Sequence, residues 1–410
     1  MEEELVSAEG EKGHEIVIVG AGIGGLATAL ALYRKGFKDV AVYERSESLR
    51  VEGAAIGIFS NGWRALDQLG VGDQLRDKAI LMEGDEDIWI KNGRSRKSHF
   101  LDGEARCLKR RDLIDALANA LPPNTVQFGC NTVSVKMDPE SMSPALQLDD
   151  DKAIRAKVLI GCDGSNSKVA EFVGLKPASS FPLAAVRGLS YYQNGHPFPP
   201  LFVRMRGDQG NASLVGRIPI NDKLVYWFVA IHLSLQGQKF PDDPELIKQA
   251  TLKMITGFPA DVGEMIEKSD LETLSFTHLR YRHPWEILVG KFHKGPVTVL
   301  GDAMHVMGPF LGQGGSAALE DAVVLARNLA QKLNQSDGGR LIMNHKKIEE
   351  AFDEYVKERR MRIMRLSTQT YLFGVILGST SSFVKFIAIV IVIFVFRDRR
   401  AHTKYDCGKL

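Results

Sequence analysis

The feature that most constrains this chain is a glycine-rich turn between a short apolar strand and a helix. Ile16 to Val19 is apolar on both faces, as in a buried strand of a parallel sheet. The turn Gly20-Ala21-Gly22-Ile23-Gly24-Gly25 follows at once, and Leu26 to Gly36 is an Ala- and Leu-rich stretch that ends in glycine, as helices often do. A strand, a tight turn and a helix in this order predict a unit that begins an α/β fold.

Three glycines of this turn have distinct tasks in a dinucleotide-binding unit. Gly20 makes the tight bend, Gly22 lets the backbone approach a pyrophosphate, and Gly25 lets the helix pack closely on the strand. The next apolar strand ends in Glu44, nineteen residues beyond Gly25, where a carboxylate can accept hydrogen bonds from a ribose. Its charge disfavours a 2′-phosphate and therefore NADP, while FAD and NAD both stay open at this point. Arg45 follows directly and is included among the predicted cofactor-binding residues.

Two further strand-and-turn motifs follow later in the chain. Val158 to Gly164 is a buried-strand pattern that runs into a polar turn at Asp163. Val297 to Asp302 repeats the pattern and leads to a second glycine-rich turn, Gly312-Gln313-Gly314-Gly315. Ser316 to Leu329 is apolar at helical spacing and is predicted to form a helix. Each motif alone fits an ordinary strand end, so their specificity lies in their joint order.

With these motifs the chain resembles the flavoprotein aromatic hydroxylase superfamily, the salicylate and p-hydroxybenzoate hydroxylases, and is most similar to the plant salicylate-hydroxylase-like monooxygenases. The resemblance covers nearly the whole chain and includes the sequence GDAMHVMGPFLGQGGSAALEDA from Gly301 to Ala322. It implies an α/β fold in which a Rossmann-like FAD-binding domain, residues 14–182 and 278–340, is interleaved with a smaller β-sheet substrate domain, residues 183–277. A C-terminal helical segment, residues 341–410, completes the prediction.

The resemblance also implies roles for individual residues. Asp302 is expected to bind the ribityl chain of FAD, the alternative being that it only caps the turn after Leu300. The backbone at Gly312 and Gly314 is expected at the pyrimidine edge of the flavin. Arg110, in Arg110-Arg111-Asp112-Leu113, matches the family position whose arginine lies along FAD.

Asp163 matches a motif implicated in binding both FAD and NAD(P)H. The sequence departs from the family pattern at three positions: Val306 stands where proline is frequent, Phe310 where an acidic residue is frequent, and Ala170 where an arginine often closes the Asp163 motif. The first two changes predict a less polar pocket beside the flavin.

The implied function is that of an FAD-dependent, NAD(P)H-using monooxygenase. Such an enzyme inserts one oxygen atom of O2 into a small aromatic or isoprenoid-like substrate through a flavin C4a-hydroperoxide. No serine-histidine-acid set or metal cluster is recognisable in the sequence, and none is needed because the cofactor supplies the chemistry. The alternatives are a flavin oxidase or reductase, and an FAD-holding, non-catalytic interaction protein associated with a membrane.

Composition narrows the partners and the compartment. The chain has 52 Lys and Arg against 50 Asp and Glu, a net charge of +2 without a basic stripe, which argues against nucleic acid as a partner. Its four cysteines are scattered without a CxxC pair, which argues against a zinc site or a disulfide framework. The first fifteen residues are acidic and lack an apolar stretch. These features predict a cytoplasmic protein with a small-molecule substrate.

The segment Tyr371 to Phe396 departs from globular patterning. Lys385 is its only charged residue, and Phe386 to Phe396 is a run of eleven apolar residues followed by Arg397, Arg399 and Arg400. Eleven helical residues span only about 16 Å, well short of a hydrocarbon core of about 30 Å. Two interpretations stay open: a helix docked on the enzyme core, which is favoured, and shallow insertion in a membrane surface.

Overall fold

The computed structural model describes residues 13–49, 54–100, 103–207, 212–233, 240–333, 335–336, 340–341, 343–398 and 400–410. The strands, in chain order, are β1 (His14–Val19), β2 (Val40–Tyr43), β3 (Ala55–Phe59), β4 (Gly84–Trp89), β5 (Arg94–His99), β6 (Ala105–Lys109), β7 (Val126–Gln127), β8 (Thr132–Met137), β9 (Pro144–Leu148), β10 (Ala153–Gly161), β11 (Ser179–Tyr191), β12 (Leu201–Arg206), β13 (Ala212–Pro219), β14 (Leu224–His232), β15 (Ser275–Tyr281), β16 (His293–Lys294), β17 (Val297–Val299), β18 (Gln335–Ser336) and β19 (Arg340–Leu341). The helices are α1 (Ile23–Arg34), α2 (Ser60–Gln68), α3 (Gly72–Arg76), α4 (Arg110–Asn119), α5 (Lys168–Val173), α6 (Pro244–Met254), α7 (Ala260–Glu267), α8 (Pro284–Val289), α9 (Asp302–His305), α10 (Gly314–Lys332), α11 (His345–Gly378) and α12 (Ser382–Val395).

The first sheet is built around the apolar strand β1. Its strands lie in the order β16-β17-β10-β1-β2-β7, with β9 and β8 added beside β10, and β1 runs parallel to both of its neighbours. Ile16, Val17 and Ile18 are fully buried, as expected for a strand covered on both faces. The chain first adds strands on the β2 side and then returns to the β10 side. Such a reversal leaves a crevice at the carboxyl ends of the strands, where ligands bind in sheets of this kind.

The second sheet has seven strands in the order β15-β11-β14-β13-β12-β4-β5. One face packs on α6 and α7 through a cluster that includes Val186, Trp227 and Val262. The opposite face looks toward the carboxyl ends of the first sheet. Strands β11 and β15 extend across the proposed domain borders at 182/183 and 277/278, and β4 and β5 join this sheet from residues 84–99. The domain division itself stays a prediction.

The C-terminal region consists of two helices. α11 has 34 residues, and its middle packs against α10. It ends at Gly378, and Ser381 begins α12 by accepting a hydrogen bond from the amide of Val384 at 3.4 Å. The segment Tyr371 to Phe396 is therefore two helices, because the serines between them cap a new helix.

α12 packs along α11 but leaves most of its apolar surface exposed. Ala388 is its only buried residue, whereas Phe383 is 71% and Phe394 65% exposed. Docking on the core is thus partial. Within the described part of the chain, no helix combines the length and the apolar character needed to cross a membrane. Arg399 lies outside the described residues.

Candidate active site

The turn after β1 has the backbone geometry that its glycines predict. Gly20 has a φ angle of +101°, and a Cβ atom there would lie 2.6 Å from the carbonyl oxygen of Cys162. A Cβ atom on Gly25 would lie 1.9 Å from the carbonyl oxygen of Gly20, whereas one on Gly22 would meet nothing within 4 Å. The chain itself requires glycine at positions 20 and 25. At Gly22 the space is open, and the first amides of α1 lack a side-chain cap, as a phosphate site needs.

Glu44 lies buried at the end of β2, beside this turn. Its Oε2 accepts the amide hydrogen of Ala21 at 2.8 Å, and its Oε1 accepts that of Ser46 at 3.0 Å. Glu44 also lines the cavity, and its predicted contact with ribose hydroxyls stays a prediction. Arg45 is exposed at the rim of the same cavity.

Asp163 follows β10 and binds the start of α5, whose N-cap residue is Ser167. Its Oδ2 accepts the amide hydrogen of Lys168, the first residue of α5, at 2.7 Å. Its buried Oδ1 has no hydrogen-bond partner among the described residues, and burial raises the pKa of this carboxyl group. The structural role accounts for one oxygen. The predicted cofactor contact of Asp163 stays a prediction.

Asp302 projects into the cavity from the first position of α9. The side chain is exposed, and its carboxylate makes no hydrogen bond or ion pair with any residue that the structure describes. No hydrogen bond therefore supports the alternative that Asp302 only caps the turn after Leu300. An unpaired carboxylate at this point is suited to bind the hydroxyls of a ligand.

Asp302 faces the second glycine-rich turn. Gly312 has a φ angle of +61°, and α10 begins at Gly314, where an added Cβ atom would lie 4.0 Å from Oδ1 of Asp302. Gln313 provides no side-chain cap to this helix, so its first amides remain open. Arg110, the first residue of α4, is partly buried and lines the same space.

These residues surround one cavity of about 1510 Å³. That volume exceeds the ~300–1,000 Å³ typical of a site for one small molecule. Nine of the ten predicted cofactor-binding residues line it: Gly20, Gly22, Glu44, Arg45, Arg110, Asp163, Asp302, Gly312 and Gly314. Gly25 lies behind the wall, where its contact with Gly20 fits the predicted packing role. The open space at Gly22 and the unbonded Asp302 carboxylate both fit a bound FAD.

A family model described as an FAD binding domain matches residues 14–370 of the chain. The chain belongs to the FAD-dependent monooxygenase family. It is 50% identical to Monooxygenase 1 of Arabidopsis thaliana over 96% of this chain and 99% of the relative. It is also 28% identical to salicylate hydroxylase of Pseudomonas putida, over 87% and 85% of the two chains.

Solved structures agree in fold. Klebsiella pneumoniae HpxO, crystallised with FAD and uric acid, matches with a TM-score of 0.74 and 21% identity over 95% of this chain and 96% of that chain. The predicted resemblance, the α/β fold class, FAD as cofactor and the assignment as an oxidoreductase are thereby confirmed. The roles of individual residues stay predictions.

Sequence reasoning missed a buried charge network behind the second glycine-rich turn of the monooxygenase. Arg359 of α11 is fully buried and donates to Asp321 Oδ1 and to Glu320 Oε2, both at 2.7 Å. His305 lies 2.6 Å from Asp321 Oδ2, which also accepts the amide hydrogen of Gly301 at 3.1 Å. The network thus ties α11 and α10 to the loop that carries Asp302. Asp321 lies inside the motif Gly301 to Ala322, but no sequence pattern indicates its pairing with an arginine 38 residues later.

The neighbouring cationic groups of this network change the pKa of Asp321. Burial alone would raise the pKa of its carboxyl group, but the adjacent His305 and Arg359 outweigh burial and lower the pKa to about 2. Asn61 adds hydrogen bonds to Gln313 at 2.8 Å and to Glu320 at 2.6 Å. The turn that precedes α10 is therefore fixed by buried polar contacts.

The opposite wall of the cavity is the inner face of the second sheet, where sequence reasoning named no residue. Phe202 stacks on Phe59 with ring centroids 5.5 Å apart, and Phe310 contacts Phe181 edge-on at 5.5 Å. Phe310, which stands where the family pattern often has an acidic residue, lines the cavity two residues before Gly312. The cavity wall there is therefore apolar. Phe373 of α11, Ile389 of α12 and Phe396, directly after α12, are among the residues that close the remaining side.

Proposed function

We propose that this monooxygenase uses NAD(P)H and O2 to insert one oxygen atom into a small aromatic or isoprenoid-like substrate. The stoichiometry is substrate, O2, NAD(P)H and one proton giving oxygenated product, NAD(P)⁺ and water. One observation carries the proposal: the glycine-rich cradle and the aromatic inner face of the second sheet line the same cavity. A small molecule resting on that face would lie against the cofactor.

The residues of the cradle are proposed to hold and tune FAD, which supplies the redox chemistry and the reaction with O2 when bound. The amides that begin α1 would bind the pyrophosphate, and Glu44 the adenosine ribose. Asp302 would hold the ribityl chain. The free amides at the start of α10, beside Gly314, would stabilise negative charge at the pyrimidine edge of the reduced ring.

The apolar wall is proposed to exclude water. Phe59, Phe202, Phe228 and Phe310 line the cavity beside the cradle. Water at the reacting centre would divert oxygen to hydrogen peroxide, so a dry wall favours transfer to the substrate. Leakage of peroxide is therefore a direct measure of how well this wall works.

Oxygen labelling tests the proposal. FAD-loaded protein is supplied with NADH or NADPH under 18O2 together with a panel of phenols, heteroaromatic compounds and isoprenoids. We expect one compound to accelerate NAD(P)H oxidation and to acquire one 18O atom. NAD(P)H oxidation with all oxygen recovered as peroxide would instead identify an oxidase, and retained FAD without any NAD(P)H oxidation would identify a non-catalytic protein.

The relatives suggest where to start this panel. One is named salicylate hydroxylase, and others are named FAD-dependent urate hydroxylase, at 26% identity over 331 residues in the case of Mycolicibacterium vanbaalenii. Both names refer to small planar compounds. Salicylate and urate are therefore the first members of the panel.

Peripheral contact of α12 with a membrane surface is a second proposal, supported by its exposed apolar side chains. Nine of them are more than one-third exposed: Phe383, Val384, Phe386, Ile387, Ile389, Ile391, Ile393, Phe394 and Val395. Arg397 is exposed next to the end of the helix, where it would meet anionic headgroups. Because Ile389 and Ile393 also line the cavity, a lipophilic substrate would reach it along this helix. Cell fractionation tests this contact and the predicted cytoplasmic location together.

A further inference from the structure

The last strand of the second sheet, β5, is exposed and basic. It carries Arg94 and Arg96, and neither guanidinium makes a hydrogen bond or an ion pair with the described residues. Lys97, on the other face of the strand, lies 3.8 Å from Glu86. Cations on an edge strand discourage pairing with another sheet. They also leave two guanidinium groups ready to bind an anion from outside the chain.

The sheet register extends this positive charge onto the neighbouring strands. Two rows of directly opposed residues cross β5, β4 and β12, with Arg96, Asp87 and Arg204 in one row and Arg94, Trp89 and Arg206 in the other. These residues, called the basic rows below, share one face of the sheet. Oδ1 of Asp87 lies 2.9 Å from Arg204 and 3.4 Å from Arg206. Four arginines and one aspartate give the basic rows a net charge of +3, whereas the whole chain carries +2.

Trp89 adds an amphipathic ring to this surface. The residue is 37% exposed, and the guanidinium carbon of Arg206 lies 5.9 Å from the centroid of its ring. Arg94 is its register partner on the other side, so the ring stands between two cations. Tryptophan is enriched where membranes meet water, because its ring is apolar and its N–H group is a hydrogen-bond donor. Trp89 and the arginines beside it are thus suited to a lipid headgroup region.

The apolar helix α12 ends beside the same edge of the sheet. Arg400, shortly after the helix, donates to the carbonyl oxygen of His99 at 2.9 Å, and its guanidinium carbon lies 4.2 Å from the ring centroid of Phe100. The end of α12 is thereby tied to the hairpin of β4 and β5. Ile393 of α12, which is 59% exposed, and Arg206 of the basic rows line one cavity. That cavity therefore has exposed apolar side chains on one side and cations on the other.

We propose that α12 and the hairpin of β4 and β5 form one docking surface for an anionic phospholipid bilayer. The apolar side chains of α12 enter the boundary between headgroups and acyl chains, while Arg94 and Arg96 bind lipid phosphates. Arginine suits a phosphate because its planar fork donates two parallel hydrogen bonds. In this orientation the cavity opens onto the membrane surface. The inference rests on the membrane contact proposed above for α12, to which it adds a second element and a preference for anionic lipid.

Sedimentation with liposomes tests the docking surface on the FAD-loaded protein. Vesicles of phosphatidylcholine are compared with vesicles in which phosphatidylglycerol replaces about a third of the lipid. We expect tighter binding to the anionic vesicles and a weakening by salt. The double variant Arg94→Gln/Arg96→Gln should bind anionic vesicles about 10- to 30-fold more weakly, with the affinity for neutral vesicles unchanged.

The charge-matched control is the double variant Lys223→Gln/Lys253→Gln. Both lysines are exposed, but Lys223 lies in the turn between β13 and β14, and Lys253 lies on α6, which packs on the opposite face of the sheet. This variant should bind vesicles like the wild-type protein, and both double variants should retain FAD. Tryptophan fluorescence gives a second measurement: quenching by brominated lipid in anionic vesicles should fall in Trp89→Phe.

Equal binding to neutral and anionic vesicles, equal binding by the two double variants, or unchanged quenching in Trp89→Phe overturns the assignment. If the arginine variant self-associates on gel filtration and binds vesicles as before, the arginines only protect the edge strand. Binding that survives in the arginine variant but is lost in Phe386→Ser/Phe394→Ser contradicts this inference alone. Absence of binding by the wild-type protein contradicts the contact of α12 as well. None of these measurements needs NAD(P)H or turnover, so they are independent of the 18O2 experiment.

Discussion

The two walls of the cavity differ in how the chain builds them. Three turns of the wall predicted to hold the flavin, called the flavin wall below, lie just after strands of the first sheet: Gly20 to Gly25 after β1, Asp163 after β10 and Asp302 after β17. The wall proposed to face the substrate, called the substrate wall below, consists of residues from β4, β11, β12, β13 and β14, brought into rows by the register of the second sheet. The cofactor, which a whole family shares, can thus be bound by local motifs. The substrate, which differs between enzymes, would contact a surface assembled from distant segments of the chain.

The largest expected effect is the loss of FAD binding from a protein that still folds, which would separate cofactor binding from stability within the flavin wall. Gly22→Val should abolish FAD binding because its side chain would occupy the space left for the pyrophosphate, while no protein atom lies within 4 Å of its Cβ atom. Gly25→Ala, whose Cβ atom would lie 1.9 Å from a carbonyl oxygen, should destabilise the fold itself. FAD content after reconstitution and circular dichroism separate the two. Normal FAD affinity in Gly22→Val would contradict the predicted cradle.

Removing the buried arginine tests whether the flavin wall depends on contacts outside its motifs. Arg359→Met leaves Glu320 and Asp321 without their shared cation in a fully buried site, which should lower the free energy of unfolding by about 3–5 kcal/mol. Urea denaturation of the FAD-free protein measures this. Lys357→Met, an exposed lysine on the same helix, is the control and should change stability little. Equal stability of the two variants would show that the network contributes nothing.

Asp302 has no hydrogen-bond partner among the described residues, so its predicted role is to bind the ligand. Asp302→Ala should weaken FAD binding by about 1.5–3 kcal/mol if the carboxylate accepts hydrogen bonds from the ribityl chain. The unfolding of the FAD-free protein should not change, because the side chain makes no hydrogen bond within the described residues. Flavin titration and peroxide release are the measurements. Unchanged values for both would favour a role in the turn alone.

A change on the substrate wall should give the reverse result. Gly216→Val would force the ring of Phe228 off the sheet, at a cost of about 1–3 kcal/mol. FAD affinity should stay near that of the wild-type protein, while the affinity for a planar substrate falls and peroxide release rises. Loss of FAD from this variant would break the comparison, since it would show that the two walls are not independent.

The smallest effect is expected at α12. Flotation with anionic liposomes should recover a fraction of the protein, with an affinity near that of a single acyl chain, roughly 10⁴ M⁻¹. Replacing Phe386 and Phe394, both more than 60% exposed, with serine should reduce that fraction and leave FAD content unchanged. A second copy of the chain could cover the apolar surface of α12 instead, and gel filtration at rising protein concentration tests for such a dimer. Failure to float, or dimerisation lost in the same variant, would contradict membrane contact.

The same contrast explains how much the sequence predicts. The strand Val40–Tyr43, the glycine turns and the helix that begins near Gly314 follow from local patterns, because periodicity and glycine geometry act over a few residues. The inner face of the second sheet has no such signal. Its surface comes from the pairing of β11 with β14 and β15, strands that are distant in the sequence, and this register is not readable from local patterns. The break between α11 and α12 falls at the polar run Ser379 to Ser382, where Ser381 is a local signal for the start of a new helix.

The position of β1 in the first sheet has a consequence for biosynthesis. Ile16 pairs with Val40 on one side, and on the other with Val158, which lies 142 residues later in the chain. At a synthesis rate of about 5–20 residues per second, the second edge of this apolar strand waits roughly 7 to 28 s for its partner. An open, apolar strand edge is a site of aggregation. The segment that defines the family is therefore also the part of the nascent chain that most needs protection by chaperones.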